Sequence, residues 1–184
     1  MNSRNTCSFI TLFGAAGFVG TVVYLQAVQV SYNPVQQLMS ELALGEQGQL
    51  MLVAFIMFAL AVSGSIGIMA RFKANKLMSV LLAVASASLL GAGIFELGAA
   101  TTLHVSLVAV AFVLLGLVMY LVPRHVVPFQ NIQGKLANWF FGIGTGLSVL
   151  LGNNVLPVGV GQRLAAACIL LWLCWLAIFA LMRK

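Results

Sequence analysis

The chain has 184 residues, 62% of them hydrophobic and 7% charged, with a formal net charge of +6 and a mean hydropathy of +1.09. Soluble domains carry roughly 25% charged residues, and in water a fold of this size still exposes about 30% of what its unfolded chain exposes. Composition therefore excludes a soluble enzyme, a disordered chain and a disulfide-stapled secreted module, and indicates a polytopic membrane protein whose solvent is lipid.

A helix needs about 20 apolar residues to cross roughly 30 Å of hydrocarbon. Six stretches qualify, at about residues 9–30, 49–69, 77–95, 104–122, 136–152 and 163–182. They are continuously apolar rather than alternating, which argues against a β-barrel. The expectation is an all-α integral membrane bundle of six transmembrane helices, forming a single transmembrane domain over residues 1–184 with short loops. The first stretch follows Arg4 but lacks a small-x-small cleavage site, so it reads as a retained helix rather than a signal peptide. Gly14, Gly17 and Gly20 recur along it, and small residues let helix backbones approach closely in lipid.

Between spans one and two, Ser31–Gly48 reads SYNPVQQLMSELALGEQG. Val35, Leu38, Met39 and Leu42 follow a helical period, with Gln36, Gln37, Ser40 and Glu41 on the other side. Asn33 suits an N-cap, Pro34 the first helical position and Gly45 the C-terminal cap. This predicts a short amphipathic helix over about 34–44 at the outer membrane surface. It is either a lid over a cavity or an interfacial connector. Glu41 would lie in its last turn, where the helix dipole disfavours a negative charge. Arg163, at the outer start of span six, is the basic residue on that side, so a structural Glu41–Arg163 ion pair is expected, with Glu96 as the competing carboxylate.

Span three carries Ser79, Ala83, Ala87 and Gly91 every four residues, and span five carries Gly142 and Gly146, both packing signals. Glu96 ends span three and His104 begins span four, so the two lie near each other at the outer surface. With Tyr32, Ser40, Glu41, Asn153 and Arg163 they make up the candidate residues of an outward-facing polar pocket. Gln26 and Gln29 add hydrogen-bonding groups at that depth. In an enzyme, Ser40 would be the nucleophile, and Glu41, Glu96 and His104 would do acid–base work, although their spacing matches no known hydrolase motif. HExxH-type metal spacing is absent, and a bis-His haem site would need a second buried His, whereas His125 falls on the opposite side. No cofactor and no metal are expected. Cys7, Cys168 and Cys174 read as structural thiols.

The charges orient the bundle. With six spans, Arg4, Arg71, Lys73, Lys76, Arg124, Lys135, Arg183 and Lys184 fall on one side, and Glu41, Glu46, Glu96 and Arg163 on the other. Lys/Arg excess marks the cytoplasm, so both termini are expected inside a multi-pass protein of the cell (inner) membrane. The basic loops read as orientation signals and as contacts with anionic membrane lipids. No nucleic-acid motif is present.

The chain also resembles a known family. The residues that carry the resemblance are Tyr32-Asn33-Pro34 through Ser40-Glu41-Leu42, Leu50-Met51, Gly93-Ile94-Phe95, Leu103-His104 and Gly161-Gln162-Arg163-Leu164, in that order and spacing. They are similar to a prokaryotic family of six-span membrane proteins catalogued as domain of unknown function 998. That family is distantly similar to the eukaryotic Frag1/DRAM-type membrane proteins, some of which act in lipid-anchor remodelling. Members often carry Pro and Asp after the Gly-x-Phe that ends span three. Glu96 and Leu97 stand there in this chain, so a role resting on that Asp is not carried over. The resemblance implies a fold and no established activity.

Three functions fit these readings. The first is non-catalytic binding of a lipid or other hydrophobic ligand in the outward pocket. The second is an accessory subunit of a larger respiratory or photosynthetic membrane complex. The third is an intramembrane lipid hydrolase or transferase.

Overall fold

The computed structural model describes residues 3–152 and 154–183. Among them are six long α-helices: α1 Ser3–Val28, α2 Leu50–Arg71, α3 Lys76–Ile94, α4 Thr101–His125, α5 Ile132–Leu151 and α6 Val158–Met182. Five of these, all but α5, are long and apolar enough to cross a membrane. The first two turns of α5 carry Gln133, Lys135 and Asn138, which lower its apolar character. Arg4's side chain, Asn153 and Lys184 lie outside the described residues.

The expected spans and the helices coincide in number, and their ends differ where local chemistry decides. Asn75 Oδ1 accepts the Met78 N–H and starts α3, and Asn131 Oδ1 accepts the Gly134 N–H and starts α5. α4 runs three residues past Val122 and carries Pro123 in its last turn, where the ring costs one hydrogen bond to the turn before it and the helix ends two residues later. α6 begins at Val158, after Pro157, rather than at Arg163. Arg163 and Gln162 therefore stand in the second turn of that helix, not at its tip.

Each helix packs on its neighbour in the chain, and α6 returns to α1 and closes the ring. α6 also touches α2 and α4. The small residues of α1 allow one of these contacts directly. A Cβ on Gly14 would stand 2.5 Å from both Met57 O and Ala61 N of α2, so the two backbones touch there. Between α5 and α6, buried Trp172 donates its indole N–H to Asn138 Oδ1 at 2.8 Å, which pairs both groups away from water.

One end of the bundle is basic and aromatic. Phe72, Phe129, Trp175 and Phe179 stack with ring centroids 4.7–5.9 Å apart, gathering the α2–α3 link, the α4–α5 link and the end of α6. Arg71 donates to Ala180 O at 2.9 Å and to Arg183 O. The opposite end carries the Ser31–Gly48 loop.

The expected helix over 34–44 is not one α-helix. Residues 33–37 form a single turn, closed by Gln37 N–H to Asn33 O at 2.9 Å. Leu38 is extended (φ −63°, ψ 148°), and a 3₁₀-helix follows at Met39–Leu44. Asn33 keeps its expected capping task, its Oδ1 accepting the Val35 N–H at 3.0 Å.

The glycine pattern gives a paired prediction. Gly14→Ala forces α1 off α2 and lowers the unfolding temperature of the detergent-purified protein by several degrees, roughly what 1–3 kcal/mol of overpacking produces. Gly20→Ala, which adds a Cβ with nothing within 4 Å, leaves that temperature unchanged or slightly raised. Equal effects of the two would contradict the close α1–α2 contact.

Candidate functional site

The guanidinium of Arg163 organises the loop end. Its Nη1 donates to Pro34 O at 2.6 Å, Gln37 O at 3.2 Å and Gly159 O at 3.1 Å, and its Nη2 donates to Tyr32 Oη at 2.5 Å. The Tyr32 hydroxyl passes its own hydrogen to Leu38 O at 2.9 Å. In a continuous α-helix, Pro34 O would accept from Leu38 N and Gln37 O from Glu41 N. Arg163 takes both carbonyls, and the helix breaks at Leu38. Gly159 permits this approach, because a Cβ there would overlap the carbonyl oxygens of Pro34, Val35 and Gln37.

The break also relocates Glu41. It stands in the first turn of the 3₁₀-helix rather than the last turn of an α-helix. Its Oε1 accepts the freed Leu38 N–H at 2.9 Å, and its Oε2 accepts Gln37 Nε2 at 3.2 Å. A carboxylate is favoured at such an N-terminal turn. The expected Glu41–Arg163 ion pair is thus replaced, among the described residues, by two separate sets of hydrogen bonds on the same turn. Each set includes backbone groups that lose their helical partners at the break: Pro34 O and Gln37 O at Arg163, and the Leu38 N–H at Glu41.

Three further side chains hold the loop down. Gln162 Oε1 accepts the Met39 N–H at 2.6 Å. Gln29 Nε2 donates to Leu42 O at 2.8 Å and Glu46 O at 2.7 Å. Tyr24 Oη donates to Gln47 Oε1 at 2.8 Å.

Beneath the loop lies a cavity of about 220 Å³ between α4, α5 and α6. Val105, Val108, Ala109 and Phe112 line it from α4, Ser148 and Val149 from α5 with Gly152 just past its end, and Val158 and Gln162 from α6. Leu38 and Ser40 line it from the loop, and His104 lines it from the first turn of α4. Val105, Ala109 and Val149 are exposed, so the mouth opens sideways between α4 and α5. The wall is mostly aliphatic, with a few polar groups at one end, the usual make-up of a small-molecule site.

Two of those polar residues carry an atom with no hydrogen-bond partner among the described residues. Ser40 and His104 are each 2% exposed, and Ser40 Oγ and His104 Nε2 are buried without a hydrogen bond. The other ring nitrogen, His104 Nδ1, lies 2.7 Å from Ala92 O and 3.0 Å from Phe95 O. The ring edge meets Phe55 at 5.4 Å. The imidazole is therefore clamped to the end of α3 by one nitrogen, and the other is buried with no hydrogen-bond partner among the described residues.

The sequence candidates divide accordingly. Ser40 and His104 line the cavity, while Tyr32, Glu41 and Arg163 form the clamp above it. Glu96 is exposed and does not line the cavity, and Asn153 lies outside the described residues. Neither carboxylate lines the cavity with His104, so the acid–base set expected of a hydrolase is not assembled there. Among the described residues no group of three His, Cys, Asp or Glu is arranged to hold a metal ion. Gln162 was missed as a site residue, although its place beside Arg163 in Gly161-Gln162-Arg163-Leu164 was a signal. The aliphatic lining carries no signal, because every span is made of such residues.

A multi-pass membrane protein with a side-opening cavity under a hydrogen-bonded loop is what these elements define. Residues 12–178 match the family described as "Protein of unknown function (DUF998)", and the chain belongs to it. No curated protein and no solved structure matches.

Burial raises the Tyr32 phenol above its ordinary 10.0, and the Glu41 charge adds to this, while the bond and charge of Arg163 partly offset it. A phenol held neutral in the folded state contributes stability that is present below pH 10 and lost as pH rises through its raised value. The difference in unfolding temperature between wild type and Tyr32→Phe should therefore be constant from pH 8 to 10 and shrink above it. A difference that stays flat to pH 11.5 would contradict the half-buried, hydrogen-bonded phenol.

Proposed function

We propose that this protein is a non-catalytic binder of a lipid-like hydrophobic ligand, held in the cavity between α4, α5 and α6. The observation that carries the reading is an aliphatic, side-opening cavity lined by Ser40 and His104, whose buried Oγ and Nε2 have no hydrogen-bond partner among the described residues. Buried polar groups are nearly always hydrogen-bonded. A ligand whose polar end reaches Ser40 and His104, and whose tail leaves past Val105, Ala109 and Val149, satisfies them. The clamp of Arg163, Tyr32 and Gln162 holds the loop over that polar end.

In this reading α5, 20 residues long and about 30 Å in length, is the sixth span. The basic end, with Arg71, Lys73, Lys76, Arg124, Lys135 and Arg183, faces the cytoplasm of a cell membrane. The loop and the cavity then lie toward the outer leaflet, and membrane lipids are the immediate source of ligand.

Native mass spectrometry of the full chain in mild detergent tests this. The wild type should carry one amphiphile per chain, and Ala109→Trp, which blocks the mouth, should release it with the fold intact. A wild-type spectrum showing only bare chain at the gentlest detergent concentration would overturn the proposal.

A further inference from the structure

The arginines at the basic end of the bundle are held in two different ways. Arg71 commits its guanidinium to Ala180 O, at 2.9 Å, and to Arg183 O. Arg124 and Arg183 are exposed, and neither guanidinium donates to an acceptor among the described residues. Each lies instead over an aromatic ring one turn back in its helix. Arg124 Cζ stands 3.6 Å from the Tyr120 ring centroid, and Arg183 Cζ stands 4.6 Å from that of Phe179. A ring meets the flat face of the cation, so the N–H groups around the guanidinium edge stay open.

The fold sets the depth of both heads. Arg124 stands in the last turn of α4, and Arg183 follows the end of α6. Each helix has 25 residues. That is about 37 Å, against roughly 30 Å of hydrocarbon and about 40–45 Å with the headgroup layers. Side chains on a helix lean toward its N-terminus, so these two arginines lean back along their helices rather than out into water. Their guanidiniums therefore lie at the level of lipid headgroups. Contacts among Phe72, Phe129 and Phe179 gather the α2–α3 link, the α4–α5 link and the end of α6 at this end. The chain has no Asp, and its three Glu residues, Glu41, Glu46 and Glu96, belong to the links at the loop end.

A planar guanidinium with an open edge at that depth suits a phosphate, which it binds through two parallel hydrogen bonds. Positive charge with no carboxylate at the same end favours a lipid of net negative charge over a zwitterionic one. We infer that Arg124, positioned by Tyr120, and Arg183, positioned by Phe179, bind the phosphates of anionic phospholipids in the leaflet at the basic end. This site is separate from the cavity and does not depend on what the cavity holds.

Lipid titration of the delipidated full chain in detergent, read by native mass spectrometry, tests the inference with phosphatidylglycerol and phosphatidylcholine of the same acyl chains. The wild type should bind the first about tenfold more tightly. Arg124→Gln should weaken phosphatidylglycerol binding about fivefold, the contribution of one arginine at an anionic surface, and leave phosphatidylcholine binding almost unchanged. Tyr120→Leu keeps every charge and removes only the exposed ring, and it should weaken phosphatidylglycerol binding about threefold by freeing the guanidinium. Arg124→Lys keeps the charge without the planar fork, should match Tyr120→Leu, and covers the case in which that variant fails to fold. Equal binding of the two lipids by the wild type would overturn the inference. A preference that none of the variants moves would also overturn it. So would a loss confined to Arg124→Gln, because the end would then act through its net charge alone.

Discussion

The loop end of this bundle depends on one side chain, the guanidinium of Arg163. Its planar fork meets three backbone carbonyls and a phenol at once, a geometry that no lysine ammonium reproduces. The carbonyls of Pro34 and Gln37 are the ones that would have continued a helix through Leu38. Diverting them to α6 breaks the segment, and the break turns Leu38 and Ser40 down onto the cavity. Gly159 makes room, Tyr32 relays the bond to Leu38 O, and Glu41 takes the N–H set free at Leu38. Each of these residues answers a backbone group that Arg163 displaced or drew close.

The architecture was legible where the solvent imposes a simple rule. Lipid requires long apolar helices with internally bonded backbones, and each expected span falls on an α-helix, five of which are long and apolar enough to cross a membrane. Their limits were less legible, because caps such as Asn75 and Asn131 and the early start of α6 at Val158 depend on local hydrogen bonds rather than on hydropathy. α5 shows the same tension, since Asn138 weakens its apolar pattern in order to pair with Trp172.

The loop was misread for an instructive reason. The period of Val35, Leu38, Met39 and Leu42 is helical, and Asn33, Pro34 and Gly45 are good boundary residues. Periodicity describes which faces are apolar, and it says nothing of a distant arginine competing for the carbonyls. The need of Glu41 for a partner was visible in the chain, but the partner is the Leu38 amide, three residues away, rather than Arg163. Ser40 and His104 stood out as rare polar residues, and the structure brings them to one cavity. Phe112, Val149 and the rest of the lining could not stand out among so many equivalents.

The central claim is that Arg163 holds the loop in its broken form above the cavity. Hydrogen–deuterium exchange over residues 33–44 tests it most directly, comparing wild type with Arg163→Gln in the same detergent. The backbone amides of Leu38, Met39 and Glu41 should exchange at least about tenfold faster in the variant, reflecting local opening of the loop, while those of α2 and of α6 beyond its second turn stay as protected as before. Unchanged exchange across 33–44 would show that the loop keeps its form without the guanidinium, and would contradict the account.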